Sequence, residues 1–170
     1  MAARYGWSGY GDKQYVTHVL RFYPYGHAFT GGMGKDIVEV ALSQIGNVGG
    51  EPYRTWYGCS THVEWCAIFV SWCADQAGYI NAGVMPKFSY CPTGISWFQT
   101  NGVWQKRDYT PSPSDIIFFD WENDGVSDHV GIVERVEGSF VWTLEGNSDD
   151  MCHQHRYPIG SSEICGYGLP

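Results

Sequence analysis

Lysine and arginine are scarce in this chain: ten of them stand against eighteen aspartates and glutamates, for a formal charge of −8. Nothing supplies a phosphate-binding field, which argues against a nucleic-acid or anionic-membrane partner. No apolar run is long enough to span a bilayer, so no membrane insertion is expected. The opening Met1-Ala2-Ala3-Arg4-Tyr5-Gly6 lacks the apolar core of a signal peptide. The expectation is a cytosolic protein or a fragment of something larger. The six cysteines (Cys59, Cys66, Cys73, Cys91, Cys152, Cys165) include no CxxC pair, which argues against a zinc ribbon. Their even count permits three disulfides. A catalytic thiol would leave at least one of the other five unpaired. No internal repeat or low-complexity tract is present.

What is plentiful is core material. Of the 170 residues, 44% are apolar and 16% aromatic, enough for one domain with an appendage. Residues 1–33 differ from the rest, being rich in Gly, Tyr and Phe, and Thr30-Gly31-Gly32-Met33-Gly34 reads as a linker. They are expected to be a tail or linker, or the end of a preceding domain, with the main domain at 34–170.

The densest apolar stretch is Glu64-Trp65-Cys66-Ala67-Ile68-Phe69-Val70-Ser71-Trp72-Cys73-Ala74. It is too long for an ordinary strand and ends near Gly78, a usual helix terminator. It predicts a helix from about Val63 to Ala77, apolar all round and therefore buried. Cys66 then falls in the first turn, where unpaired amides and the helix dipole favour a thiolate. Read alone, this cysteine is equally a small core residue. Cys66 and Cys73 lie two turns apart on that helix and cannot bridge each other.

Periodicity predicts a further helix at 35–45, a loop at 49–53 and a short helix at 93–100. Beyond Pro111-Ser112-Pro113 the pattern turns to short β-rich runs: strands at 116–119, 129–136 and 139–144, then near 153–157 and 163–166. Helices first and an antiparallel sheet second is an α+β layout.

A thiol nucleophile needs a base in reach and a group to orient that base. Of six histidines, His18 and His27 lie in the tail, and His62 sits in a polar loop just ahead of the helix. His129 opens a strand, with Gly131 leaving room on the same face, and is the best candidate base. Its bland reading is a turn histidine at a strand start. A hairpin about residues 137–138 pairs 129 near 146, which brings Glu145 and Asn147 beside it. Glu145 is otherwise a solvated strand-end charge.

Two other clusters compete for attention. Asp120, Asp124 and Asp128 echo the front half of a calcium loop, but the twelfth position is Gly131 rather than a bidentate Glu. An acidic turn is the expectation, with calcium the weaker alternative. Cys152, His153 and His155 could supply zinc ligands, but no second pair stands at ligand spacing.

The EWCAIFVSWCA, SDHVGIVE and TLEGN runs, in order over about residues 35–170, resemble the CHAP family of cysteine- and histidine-dependent amidohydrolases/peptidases. The resemblance implies a papain-like α+β fold, with helices packed on an antiparallel sheet. It implies cleavage of amide bonds in bacterial peptidoglycan, with Cys66 as nucleophile, His129 as base and Glu145 as the orienting group. Asn147 matches a polar position that joins the site in some members. No cofactor is implied. Some members bind calcium just upstream of the nucleophile, but residues 57–63 offer no carboxylate. The leading segment 9–20 faintly resembles the last helix of lysozyme-like domains, which would make this a piece of a longer secreted or cell-wall protein, or of a phage lysin. A catalytically silent cell-wall-binding module and an amidase toxin are the alternatives.

Overall fold

The apolar runs of the first half become helices and those of the second half become strands. The computed structural model describes residues 36–170; the expectations for residues 1–33 lie outside the described residues. In chain order the elements are α1 (Ile37–Leu42), α2 (Glu51–Tyr57), α3 (Cys66–Gln76) and α4 (Cys91–Thr100). They are followed by β1 (Trp104–Lys106), β2 (Ile116–Phe119), β3 (His129–Glu137), β4 (Phe140–Ser148), β5 (Met151–Pro158) and β6 (Ile164–Gly168). The strands form one sheet in the order β1-β6-β2-β3-β4-β5. Every neighbouring pair is antiparallel. The α+β expectation therefore describes the architecture.

Each departure from the expected elements has a local cause. α1 begins where Asp36 Oδ1 accepts from Val38 N (2.9 Å). It is shorter than expected because Gly46 N leaves the helix to bond Cys152 O (2.9 Å). The segment 46–49 thereby runs along the free edge of β5. The expected loop at 49–53 is instead the start of α2, since Pro52 falls in the first turn, where a missing N–H costs nothing. β1 was not foreseen: three residues carry too little pattern to read.

The central helix starts three residues later than expected, and Trp65 is the reason. Its backbone is non-helical (φ −125°) and it stands just before α3. Its indole is fully buried, stacks on Tyr53 at 5.5 Å, and donates from Nε1 to Asp150 Oδ1 (3.1 Å). Two glycines make room for it. A Cβ at Gly50 would lie 2.3 Å from the ring, and one at Gly146 would lie 2.8 Å away. Seating that ring turns the backbone before Cys66, so Cys66 is the first residue of the helix.

The β3–β4 turn falls at Gly138-Ser139, one residue later than expected, since Glu137 faces Phe140. A bulge between Val133 and Arg135 then re-aligns the strands so that Ile132 faces Leu144. β4 extends past the expected end to Ser148. It reverses through Asp149 and Asp150, both at positive φ (51° and 58°). That is the twist a two-residue hairpin favours, made by aspartates rather than Asn-Gly.

The sheet carries core on both faces. On one, α3 packs against β3 and β4, and Phe118 meets Phe88, Phe98 and Trp104. On the other, Ile117, Phe119, Val133, Val141, Ile164 and Tyr167 cluster beneath Tyr109, Tyr157, Ile159 and Leu169.

One buried polar side chain ties α3 to the segment leading into α4. Ser71 Oγ donates to Phe88 O (2.7 Å) and accepts from Phe88 N (2.9 Å). Ser71→Ala would strand a buried N–H and a buried C=O together. The expected loss is about 2–4 kcal/mol, read from urea unfolding with an unchanged m-value.

Candidate active site

β3 and β4 place His129 and Glu145 on one sheet face, the face opposite α3. Each lies an even number of residues from the paired positions Val133 and Thr143. Gly131 lies between them in space. A Cβ there would come within 2.8 Å of Glu145 Cγ, so the missing side chain is what lets the carboxylate lie across the strand. His129 Nε2 and Glu145 Oε2 are 2.9 Å apart. Both groups are buried, at 3% and 1% exposure.

The carboxylate of Glu145 has two further donors. Thr143 Oγ1 donates to Oε1 (2.5 Å) and Tyr157 OH donates to Oε2 (3.3 Å). Burial disfavours its charge, but the hydrogen bond and charge of His129 and the Thr143 hydroxyl outweigh burial and lower its proton affinity. Trp121, half-exposed, stacks on the imidazole at 4.4 Å and 21°, covering one ring face.

With Nε2 engaged by Glu145, the other ring nitrogen of His129 is left for the Cys66 thiol, and each group shifts the proton affinity of the other. Cys66 is brought down to about 5. The largest cause is a hydrogen bond from Cys91; burial opposes it, and the hydrogen bond and charge of His129 and the Ala67 amide add to the lowering. His129 is raised to about 9. Burial alone would push it down, but hydrogen bonds with Cys66 and Glu145, and the charges of both, prevail. Between those limits the pair is thiolate and imidazolium.

Cys66, His129 and Glu145 thus stand together. Asn147 goes elsewhere. It sits in a β4 irregularity at φ 59°, and its Nδ2 donates to Glu64 Oε2. It ties the end of β4 to the approach to α3, and of the two candidate partners it is Glu145 that bonds the imidazole. The strand explains this: β4 is regular as far as Glu145, which faces His153, and becomes irregular between Glu145 and Ser148, so residue 147 is turned out of line. His62 is exposed in the loop ahead of α3.

The carboxylates of the acidic loop are engaged by the loop's own backbone. Asp120 accepts from Asp124 N and Gly125 N (3.2 and 2.9 Å), and Asp124 from Val126 N (2.9 Å). Asp128 accepts from Trp121 N and Glu122 N (2.9 and 3.3 Å). These carboxylates fold the loop that carries Trp121. Cys152 points to Tyr53 OH, while alternation along β5 puts His153 and His155 on its other face. Among the described residues no group of three His, Cys, Asp or Glu side chains could hold a metal.

Sequence reasoning missed Thr143, Tyr157, Trp121 and Cys91. Thr143 was within reach, two residues from Glu145 on a strand. The others arrive through β5, a loop and α4, and carry no local signal.

The ion pair makes a prediction that needs no substrate. In Glu145→Gln the imidazolium loses its anionic partner, so His129 should release its proton at lower pH than about 9. A titration of its ring signals by nuclear magnetic resonance reads this directly, and an unmoved midpoint would contradict the assigned cause.

No curated protein matches the chain. Among solved structures, Ly7917 with the hydrolyzing product of MDP aligns with a TM-score of 0.53 at 18% identity, covering 79% of this chain and 62% of Ly7917. A second structure of Ly7917 aligns with a TM-score of 0.52, at 18% identity over 79% of this chain and 61% of that one. The chain therefore spans less than two thirds of the relative it matches, and the likeness is one of fold. The CHAP domain model matches residues 56–147, a stretch that begins in α2 and closes on Asn147. With more than half its length matched and the three motifs of that stretch meeting in one buried cluster, this chain belongs to the CHAP family.

Proposed function

We propose that the chain is a peptidoglycan hydrolase that cuts amide bonds through a cysteinyl acyl-enzyme. The observation that carries this reading is the line Cys66–His129–Glu145 at the start of a buried helix. The family match and the Ly7917 structure holding a hydrolyzing product of MDP support the substrate class. A protein acting there works outside the cytoplasm or at the cell wall.

In this reading the Cys66 thiolate attacks the amide carbonyl carbon. The first intrahelical bond of α3 runs from Phe69 N to Trp65 O, so the amides of Cys66, Ala67 and Ile68 have no partner within the helix. The Cys66 N–H holds the oxyanion as it forms. His129, protonated and steered by Glu145, gives its proton to the leaving nitrogen, and the C–N bond breaks. Neutral His129 then takes a proton from water, which adds to the thioester and releases the acid and the thiolate. Glu145 keeps its negative charge throughout and holds the ring in place. The bond cut lies in the stem or cross-bridge, or joins sugar to peptide.

Purified sacculi incubated under reducing conditions should release muropeptides with the wild type and none with Cys66→Ala. Mass spectrometry of the new amine or sugar ends names the bond. Failure of the wild type to release any product would overturn the proposal.

The pH dependence follows from the pair. Below about 5 the thiolate is protonated and the nucleophile is lost. Above about 9 the imidazolium loses its proton and the acid is lost. kcat/KM should be bell-shaped between those limits, each limb belonging to the coupled pair. A profile still rising above pH 9 would contradict the ion-pair state.

A further inference from the structure

The Glu145 carboxylate is held at both of its oxygens. On β3, His129 takes one of them: Nε2 and Oε2 are 2.9 Å apart. The other, Oε1, is bound from its own strand, where Thr143 Oγ1 donates to it (2.5 Å). An ionised carboxylate only accepts, so the hydroxyl is the donor. Tyr157 OH adds a longer contact of 3.3 Å, but to Oε2, the oxygen already engaged by the imidazole. Among the described residues, Thr143 alone donates to Oε1.

We propose that Thr143 is a positioning residue for the catalytic pair: its hydroxyl fixes the plane of the Glu145 carboxylate so that Oε2 faces His129 Nε2. This role rests on the reading of His129 as the acid–base group and Glu145 as its orienting partner.

A carboxylate needs such a hold. The last torsion of a Glu side chain is broad and nearly two-fold, so a bond to one oxygen leaves the group free to twist or to exchange its oxygens. A bond to each oxygen removes that freedom. Glu145 has particular need of it, because β4 becomes irregular between Glu145 and Ser148. Thr143 lies on the regular side of that break. It faces Val133 on β3 and His155 on β5, and it is fully buried. Its β-branched side chain has few rotamers to choose from. The carboxylate beside the irregular stretch is thus tied to a fixed point in the middle of three strands. Gly131 leaves room for the Glu145 side chain to lie there, since a Cβ on it would come within 2.8 Å of Glu145 Cγ.

The hydroxyl also favours the charge that His129 needs. Burial works against the Glu145 anion; the hydrogen bond and charge of His129, the Thr143 hydroxyl and the nearby His155 work for it and prevail. Thr143 does not titrate, so its hold is the same at every pH at which Glu145 is charged.

Nuclear magnetic resonance of the full chain without substrate can follow, against pH, the ring N–H proton that His129 shares with Glu145. Thr143→Val removes the hydroxyl and keeps the shape. The shared proton should then lose its downfield shift and exchange faster with water, and the His129 midpoint should fall by about half a unit or more. Thr143→Ser keeps the donor and should restore both signals. Muropeptide release from sacculi should fall about tenfold in Thr143→Val and recover in Thr143→Ser. Circular dichroism checks the fold, and Thr143→Ala replaces the valine variant if that one does not fold. In the wild type the Thr143 hydroxyl proton should itself be visible in slow exchange, close to the Glu145 side chain. A hydroxyl proton in free exchange, or a serine variant as altered as valine, would overturn the role of Thr143. So would a valine variant whose shared proton and midpoint match the wild type, or whose midpoint rises, as loss of a competing donor without loss of aim would give. Wild type that leaves sacculi uncut would instead overturn the peptidoglycan reading, with the His129 signals still deciding the role of Thr143.

Discussion

The seat of Trp65 is the constraint on which the site depends. A fully buried indole between Gly50 and Gly146, held by Asp150 and stacked on Tyr53, joins α2, the approach to α3 and the β4–β5 hairpin. Burying a side chain of that size is a large favourable term. It is collected only if the backbone turns at residue 65. The helix therefore begins at Cys66, and the thiol stands where three amides have no intrahelical partner. Neither glycine could carry a side chain without displacing the ring, so two backbone positions far apart in the chain serve one thiol.

A second constraint is electrostatic. Three buried ionisable groups, at 6%, 3% and 1% exposure, belong to the site, and each would be costly to charge alone. Charged together they offset one another: a carboxylate with three donors, an imidazolium beside it, and a thiol whose proton affinity the imidazolium lowers. The arrangement holds because each member comes from a different element packed on the same core. A site built on one flexible loop could not keep the groups in register. Trp121 closes one face of the ring, carried by a loop whose aspartates are spent on folding it.

The two faces of the sheet divide the labour. The face under α3 is apolar and sets where the helix lies. His129, the first residue of β3, and Glu145, inside β4, are on the other face. Gly131 is the point at which backbone and chemistry touch, since an empty Cβ position is filled by the Glu145 side chain.

Much of this was legible in the chain. The unbroken apolar run around Cys66 could only be a buried helix. The alternation of His129, Gly131 and Val133 is a strand with one gap on its face, and a short turn after Glu137 must fold β4 back along it. Those local patterns determined the α+β class and the proximity of Glu145 to His129; that Cys66 joins them was what the family resemblance implied. What the tertiary structure decided was finer. Helix α3 starts at Cys66 rather than three residues earlier, because a ring must be seated against glycines distant in sequence. Glu145 rather than Asn147 meets the imidazole, because β4 becomes irregular after Glu145 and turns Asn147 away, while the empty side of Gly131 lets the Glu145 side chain lie across the strand. Cys91, Tyr157 and Trp121 reach the site through elements whose own sequences carry no sign of it. Periodicity reports which way a side chain points along its own element; it does not report what a different element will bring to meet it.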